Sequence, residues 1–193
     1  MVKKRCSWVS KDECYQEYHD KVWGRAVLDS QVLFAKLCLD GQQAGLSWIT
    51  ILKKQAHYEA AFFNFDPVKI STFTEEDVER LMQNAGIVRN RLKVRAIIIN
   101  AKAYLRIEAR GISFSDYIWA FVEGKTIINT WSSKSDVPTS TVQSDKMAKA
   151  LKKEGFSFVG TTICYAFMQA VGMLNDHTTD CFCYESSSLN ARQ

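Results

Sequence analysis

The feature that most limits the fold of this chain is a single long run of helical spacing. Between Arg89 and Arg110 the apolar residues Val94, Ile97, Ile98, Ala101 and Leu105 fall at i, i+3, i+4, i+7 and i+11. That spacing lines one face of an α-helix, and Gly111 follows as a stop signal. Shorter segments obey the same rule. After the capping pair Asp29-Ser30, "QVLFAKLCL" sets Leu33 against Leu37 and Phe34 against Leu37 and Cys38, up to Asp40-Gly41. Ser47 is placed to cap a helix through "WITILKKQAHYEAAFF". Thr74-Glu75-Glu76-Asp77 resembles a capping box, with Phe73 and Val78 positioned as a hydrophobic staple. Further helices are expected from Phe114 to Val122 and from Ser144 to Lys153, and a last one is marked by Ile163, Phe167, Ala170, Val171 and Leu174. The polar stretch "GKTIINTWSSKSDVPTST", punctuated by Pro138, reads as an irregular connection. Strand alternation is nearly absent and no repeat occurs, so the expected class is all-α.

Composition narrows the setting. The chain has 193 residues, 47% hydrophobic and 24% charged with only two prolines, as in a folded protein rather than a disordered one. A net charge of +4 permits an anionic partner such as nucleic acid without requiring one. The start "MVKKRCSWVS" lacks an apolar h-region, and no run of about 18 apolar residues occurs, so the expectation is a soluble intracellular protein with no membrane partner. In that setting the six cysteines are thiols or metal ligands rather than disulfides.

Two groups of residues carry chemistry. His177 and Cys181 stand four apart, and Cys6 and His19 lie near the other end. Two thiolates and two imidazoles suit a closed tetrahedral zinc site; the alternative is a core thiol and a surface histidine. Cys14 and Cys183 are rival ligands, Cys38 and Cys164 sit on apolar helix faces as core residues, and His57 among charged neighbours reads as solvated surface. The second group is aromatic: Trp8, Tyr15, Tyr18, Trp23 and Trp48. Any one of them would fill a core, but gathered beside Asp40, Gln42 and Gln43 they describe a pocket able to stack a planar, cationic ligand. Asp40 itself needs a reason. If the helix ends near it and turns at Gly41, its charge sits at the carbonyl end of the dipole, at a cost of about 0.3–1 kcal/mol.

The motifs "RCSWVS", "YHDKVWG", "LDGQQAGLSWIT", "FDPVKI", "EEDVERLMQNAGIVRNR", "ALKKEGFSFVGTTICY" and "NDHTTDCFCY", in this order from Arg5 to Tyr184, resemble the DNA-3-methyladenine glycosylases of the constitutive bacterial type. The resemblance implies a helix-hairpin-helix glycosylase fold, all-α, with residues 29–117 as the DNA-binding helical part and residues 1–28 plus 118–193 as a zinc-stapled part. It implies one structural Zn²⁺ held by Cys6, His19, His177 and Cys181, which favours Cys181 over its rivals. It also implies hydrolysis of the N-glycosidic bond to 3-methyladenine in double-stranded DNA by a cytoplasmic, nucleoid-associated bacterial monomer.

Carried over by motif, Asp40, Tyr18 and Trp48 form the catalytic set, with Trp8, Tyr15 and Trp23 around the base. Methylation at N3 makes the base a cation and a ready leaving group, so a pocket of rings and one carboxylate suffices. Gly45 and Leu46 match the loop that fills the gap left by a flipped nucleotide; the alternative for Leu46 is a staple packing on Ile51. Arg89, Arg91 and Lys93 match the positive helix start that meets phosphate, or else form a solvated basic face. The hairpin carries only Gly86 where the superfamily has Gly-x-Gly. Asp40 stands where the family has glutamate, which sets the carboxylate back by about 1.5 Å and predicts reduced activity. The competing class is a nucleobase- or damaged-DNA-binding module that keeps the fold without turnover, and a weaker one is a zinc-stapled interaction domain.

Overall fold

The computed structural model describes residues 3–189, 191 and 192. Acids and hydroxyls placed before apolar runs do start helices. Asp12 accepts from the Tyr15 amide at the head of α1 (Glu13–Lys21), and Asp29 accepts from the Val32 amide at the head of α2 (Ser30–Gln43). Short helices α3 (Trp48–Leu52), α4 (Gln55–Ala61) and α5 (Pro67–Ser71) follow, the last opened by Asp66 with Pro67 in its first turn. α6 (Glu75–Met82) begins on the expected Thr74–Asp77 capping box. The long helix is α7 (Arg91–Glu108), capped by Asn90, and Gly111 beyond it takes φ +77°. α8 (Phe114–Trp119), α9 (Val142–Lys153), α10 (Thr161–Ala170) and α11 (Tyr184–Leu189) complete the helical set.

α2 is the central element. It packs against α3, α7, α8 and α10, and its Leu33, Phe34, Leu37 and Cys38 are buried. One continuous apolar core runs from Tyr18 and Trp23 through α2 and α7 to Met168 and Leu174, with Cys38 and Cys164 inside it as expected. No helix among the described residues is long and apolar enough to cross a membrane.

The helix expected from Phe114 to Val122 ends at Trp119 and passes into a 3-10 turn over Ala120–Val122, and the one expected from Ser144 begins at Val142; three further differences bear on the site. α2 does not stop at Asp40-Gly41 but continues to Gln43. Gly41 is there because the helix passes close to Phe158: a Cβ at that position would lie 3.2 Å from the Phe158 Cβ. The turn is made instead by Gly45, at φ +76°, a backbone state that favours glycine. The helix expected from Trp48 to Phe63 breaks into α3 and α4. The break lets α4 dock on residues 85–88: Lys54 donates to the carbonyls of Ala85 and Gly86, and the buried Tyr58 hydroxyl accepts from the Val88 amide. Finally, Leu174 lies not in a helix but in a two-residue strand, β2 (Leu174–Asn175), paired in parallel with β1 (Ile127–Ile128). Pairs this short carry little periodicity.

Candidate active site

The chain ends meet. Lys4 pairs with Asp180 at 2.6 Å and its carbonyl accepts from the Phe182 amide, which draws the Cys6 segment onto the residues after β2. Four buried donors converge there: Cys6 Sγ lies 3.5 Å from His177 Nδ1, and Cys181 Sγ lies 3.5 Å from His19 Nε2 and 3.6 Å from His177 Nδ1. All four ligand atoms fall within 4.8 Å of one another, so the cluster can hold a metal ion. Of the rivals, Cys14 is exposed, while Cys183 is buried and forms a separate candidate ligand group with His19 and Asp20.

Orientation is enforced from outside the cluster. Asp20 accepts from His19 Nδ1 at 2.8 Å and is itself gripped by two Arg5 bonds of 2.8 Å, which turns His19 Nε2 inward. The neighbouring Cys183 and Cys6 thiols hold Cys181 toward its thiolate, and the Cys181 partner with burial pushes Cys6 up.

The cluster also builds the wall of a pocket. Trp23 meets His177 edge-on at 4.7 Å between centroids and Trp8 lies 5.0 Å from Trp23, with Tyr15 5.2 Å beyond Trp8. These rings join Tyr18, Trp48 and Asp40 around a cavity of about 360 Å³, room for a nucleobase. Tyr18 and Trp48 stand 5.5 Å apart, and burial with the nearby Asp40 charge keeps the Tyr18 hydroxyl protonated. All six aromatic and acidic residues read from the sequence therefore line one cavity.

Asp40 is almost wholly enclosed, in the last turn of α2. One oxygen pairs with Lys36, one helical turn earlier, while among the described residues Oδ2 has no partner and Trp48 Nε1 is likewise buried without one. Burial pushes the Asp40 carboxyl up and the Lys36 ammonium down, each opposed by the other's charge. The helix end that should oppose the Asp40 charge is compensated. Lys93 Nζ donates to the carbonyls of Gln42 at 2.7 Å and Ala44 at 2.6 Å.

Lys93 is thus a correction. Expected at a phosphate-facing surface, it is only 6% exposed and caps α2, because its position on α7 faces the inner side where α2 and α7 pack. Arg91 pairs with Glu79 on the surface, and Arg89 is exposed with no ion pair among the described residues. Leu46 is 41% exposed at the tip of the Gly45 turn, and Ser47 makes no side-chain cap bond among the described residues.

Some pocket residues escaped the sequence reading. Lys36 was legible as the i, i+4 neighbour of Asp40. The segment read as an irregular connection supplies Val137, Pro138 and Thr139 to the cavity rim, with no local signal to say so. Asp176, at the far wall, is saturated by Tyr165, Gln169, Asn129 and Trp131. Its role is to fix that wall.

The fold has close relatives. A crystal structure of 3-methyladenine DNA glycosylase I (TAG) superposes with a TM-score of 0.93 at 57% identity, covering 94% of this chain and 100% of that one. A structure of the Staphylococcus aureus enzyme, which addresses 3-methyladenine recognition, matches with a TM-score of 0.92 at 40% identity over 95% of this chain and 98% of that one. Agreement of this extent places the protein among the helical DNA glycosylases. Escherichia coli (strain K12) DNA-3-methyladenine glycosylase 1 is 56% identical over 94% of this chain and 97% of its own length, and the Haemophilus influenzae DNA-3-methyladenine glycosylase is 53% identical over 94% and 98%. The methyladenine glycosylase family pattern spans residues 8–184, and the chain belongs to that family.

Proposed function

We propose that the protein is a monofunctional DNA N-glycosylase that removes 3-methyladenine from alkylated double-stranded DNA, acting as a monomer in the bacterial cytoplasm at the nucleoid. The observation that carries this reading is that Asp40 and Trp48 both line the cavity and each keeps a buried polar atom, Oδ2 and Nε1, without a partner among the described residues. Each would otherwise cost about 1–3 kcal/mol, and a purine edge offers both the N–H and the lone pair they lack.

The chemistry follows from charge. Extruding the nucleotide costs a few kcal/mol, less for damaged bases. The methylated base is already cationic, so the C1′–N9 bond breaks with its electron pair going to the base. Water then adds to C1′ and gives up a proton, leaving an abasic site. Rings stabilise the cationic base by roughly 0.5–2 kcal/mol per good contact, and Asp40 reads its edge. Leu46, apolar and exposed at the tip of the Gly45 turn, suits the gap in the duplex. Arg89 and Arg91 suit the phosphates, on the part spanning residues 29–117.

The metal is read as zinc. With Zn–S about 2.3 Å and Zn–N about 2.0–2.1 Å, a tetrahedral site has S···N edges of about 3.6 Å, and three of the four S···N distances here are 3.5, 3.5 and 3.6 Å, the fourth falling within 4.8 Å. With four protein ligands there is no open position, so the ion would join the chain ends and activate no water. Cys6, His19, His177 and Cys181 would hold it in the part built from residues 1–28 and 118–193.

Release of free 3-methyladenine from methylated duplex DNA, followed chromatographically, tests the enzyme reading. A folded preparation that liberates none would overturn it. The Lys36–Asp40 pair favours one alternative, a base-binding module without turnover; it would bind an abasic-site duplex yet liberate no base.

A further inference from the structure

The inference rests on the cavity being a base pocket, and it concerns what already occupies that pocket. Lys36 Nζ lies 3.9 Å from the centroid of the Trp48 ring, well within cation–π range. The same ammonium pairs with Asp40, and the Lys36 side chain is 15% exposed. A cationic methylpurine seated here would want the same two partners: the face of Trp48 for its charged ring and the Asp40 carboxylate for its N–H edge. The other carboxylate of the wall, Asp176, is fully engaged by its four donors, so it offers no substitute.

We propose that Lys36 is a specificity-determining residue: a built-in cation that competes with a cationic base for Trp48 and Asp40 and so shifts the pocket's preference from charged toward neutral bases. Two like charges cannot share one ring face and one carboxylate a few ångströms apart without strong repulsion. A neutral base must also displace the ammonium from the ring, but does not meet its charge. The displaced side chain has somewhere to go. Lys36 and Trp48 also line a second hollow of about 520 Å³, to which Asp29 and Glu59 contribute. The shorter acid and the lysine act as a unit here, since Asp40 sits one turn after Lys36 on α2.

Calorimetric binding of two free ligands to the full-length protein tests this: 3-methyladenine, uncharged near neutral pH, and 3,9-dimethyladeninium, a permanently charged analogue. Lys36→Met is expected to tighten the charged ligand by about tenfold or more and the uncharged ligand by much less, so that the charged-to-neutral affinity ratio rises. Lys36→Gln, which keeps a polar group beside Asp40, is expected to raise the ratio in the same direction and serves if the methionine variant does not fold. A ratio unchanged in the folded variants overturns the role of Lys36 while leaving the base pocket standing. Failure of both ligands to bind either the unaltered protein or the folded variants overturns the base-pocket reading itself, and this inference with it.

Discussion

Replacing Lys93 by Met separates two roles that the sequence could not tell apart. The ammonium donates to two carbonyls at the end of α2, at 2.7 and 2.6 Å. Hydrogen bonds from a charged donor are worth about 1.5–3 kcal/mol each, and a cation at a helix C-terminus adds about 0.3–1 kcal/mol. Against this stands the cost of burying the ammonium, which pushes the Lys93 pKa down. Methionine keeps the unbranched stem and the helix propensity but leaves both carbonyls without that partner. The expected loss is about 2–4 kcal/mol, which for a chain of this size lowers Tm by about 5–15 °C. Urea and thermal unfolding give this number directly. A phosphate-contacting lysine behaves otherwise: its loss lowers the salt-dependence slope of duplex binding by about 0.9 and alters stability by less than about 0.5 kcal/mol. Unchanged unfolding together with a reduced salt slope would refute the capping assignment and restore the surface role.

Asp40→Glu lengthens the carboxylate by one methylene and is expected to raise single-turnover excision of 3-methyladenine; equal rates would remove the argument from carboxylate reach. Leu46→Ala is expected to weaken binding to an abasic-site duplex with Tm shifted by no more than about 2 °C, since the side chain is 41% exposed; undiminished binding counts against the gap-filling role. For Asp77 the Thr74 amide and Arg80 hold the carboxyl below the usual range. A folded pKa below the unfolded one means stability that is present above the unfolded value and lost as pH falls through the folded one. Asp77→Asn should therefore cost about 1 kcal/mol at neutral pH and flatten the acid side of the stability profile, read by unfolding between neutral and acidic pH. Cys181→Ser, or chelation, is expected to release one equivalent of zinc and lower Tm; metal-free native protein with unaltered unfolding of the variant would exclude the zinc reading.

Helix positions were legible because each rests on a local rule. The α7 stripe, the Asp29 cap and the Thr74–Asp77 box are set by spacings of a few residues, and they appear in the structure as read. The boundaries that moved did so through distant partners. Gly41 is a contact point with Phe158 rather than a turn, and the helix after Trp48 breaks because Lys54 and Tyr58 bind the 85–88 loop.

The pocket divides in the same way. Residue type alone determined which groups could do chemistry: thiols and imidazoles for a metal, rings and a carboxylate for a base. Only the tertiary structure decided their company, by closing Cys6 and His19 onto His177 and Cys181 and by turning Lys93 inward to α2. It also set Lys36 between Asp40 and the face of Trp48. Sequence fixes which faces are apolar and where helices begin, because those depend on near neighbours in the chain. Which charge meets which carbonyl or ring depends on how the helices pack, and no spacing along the chain encodes that directly.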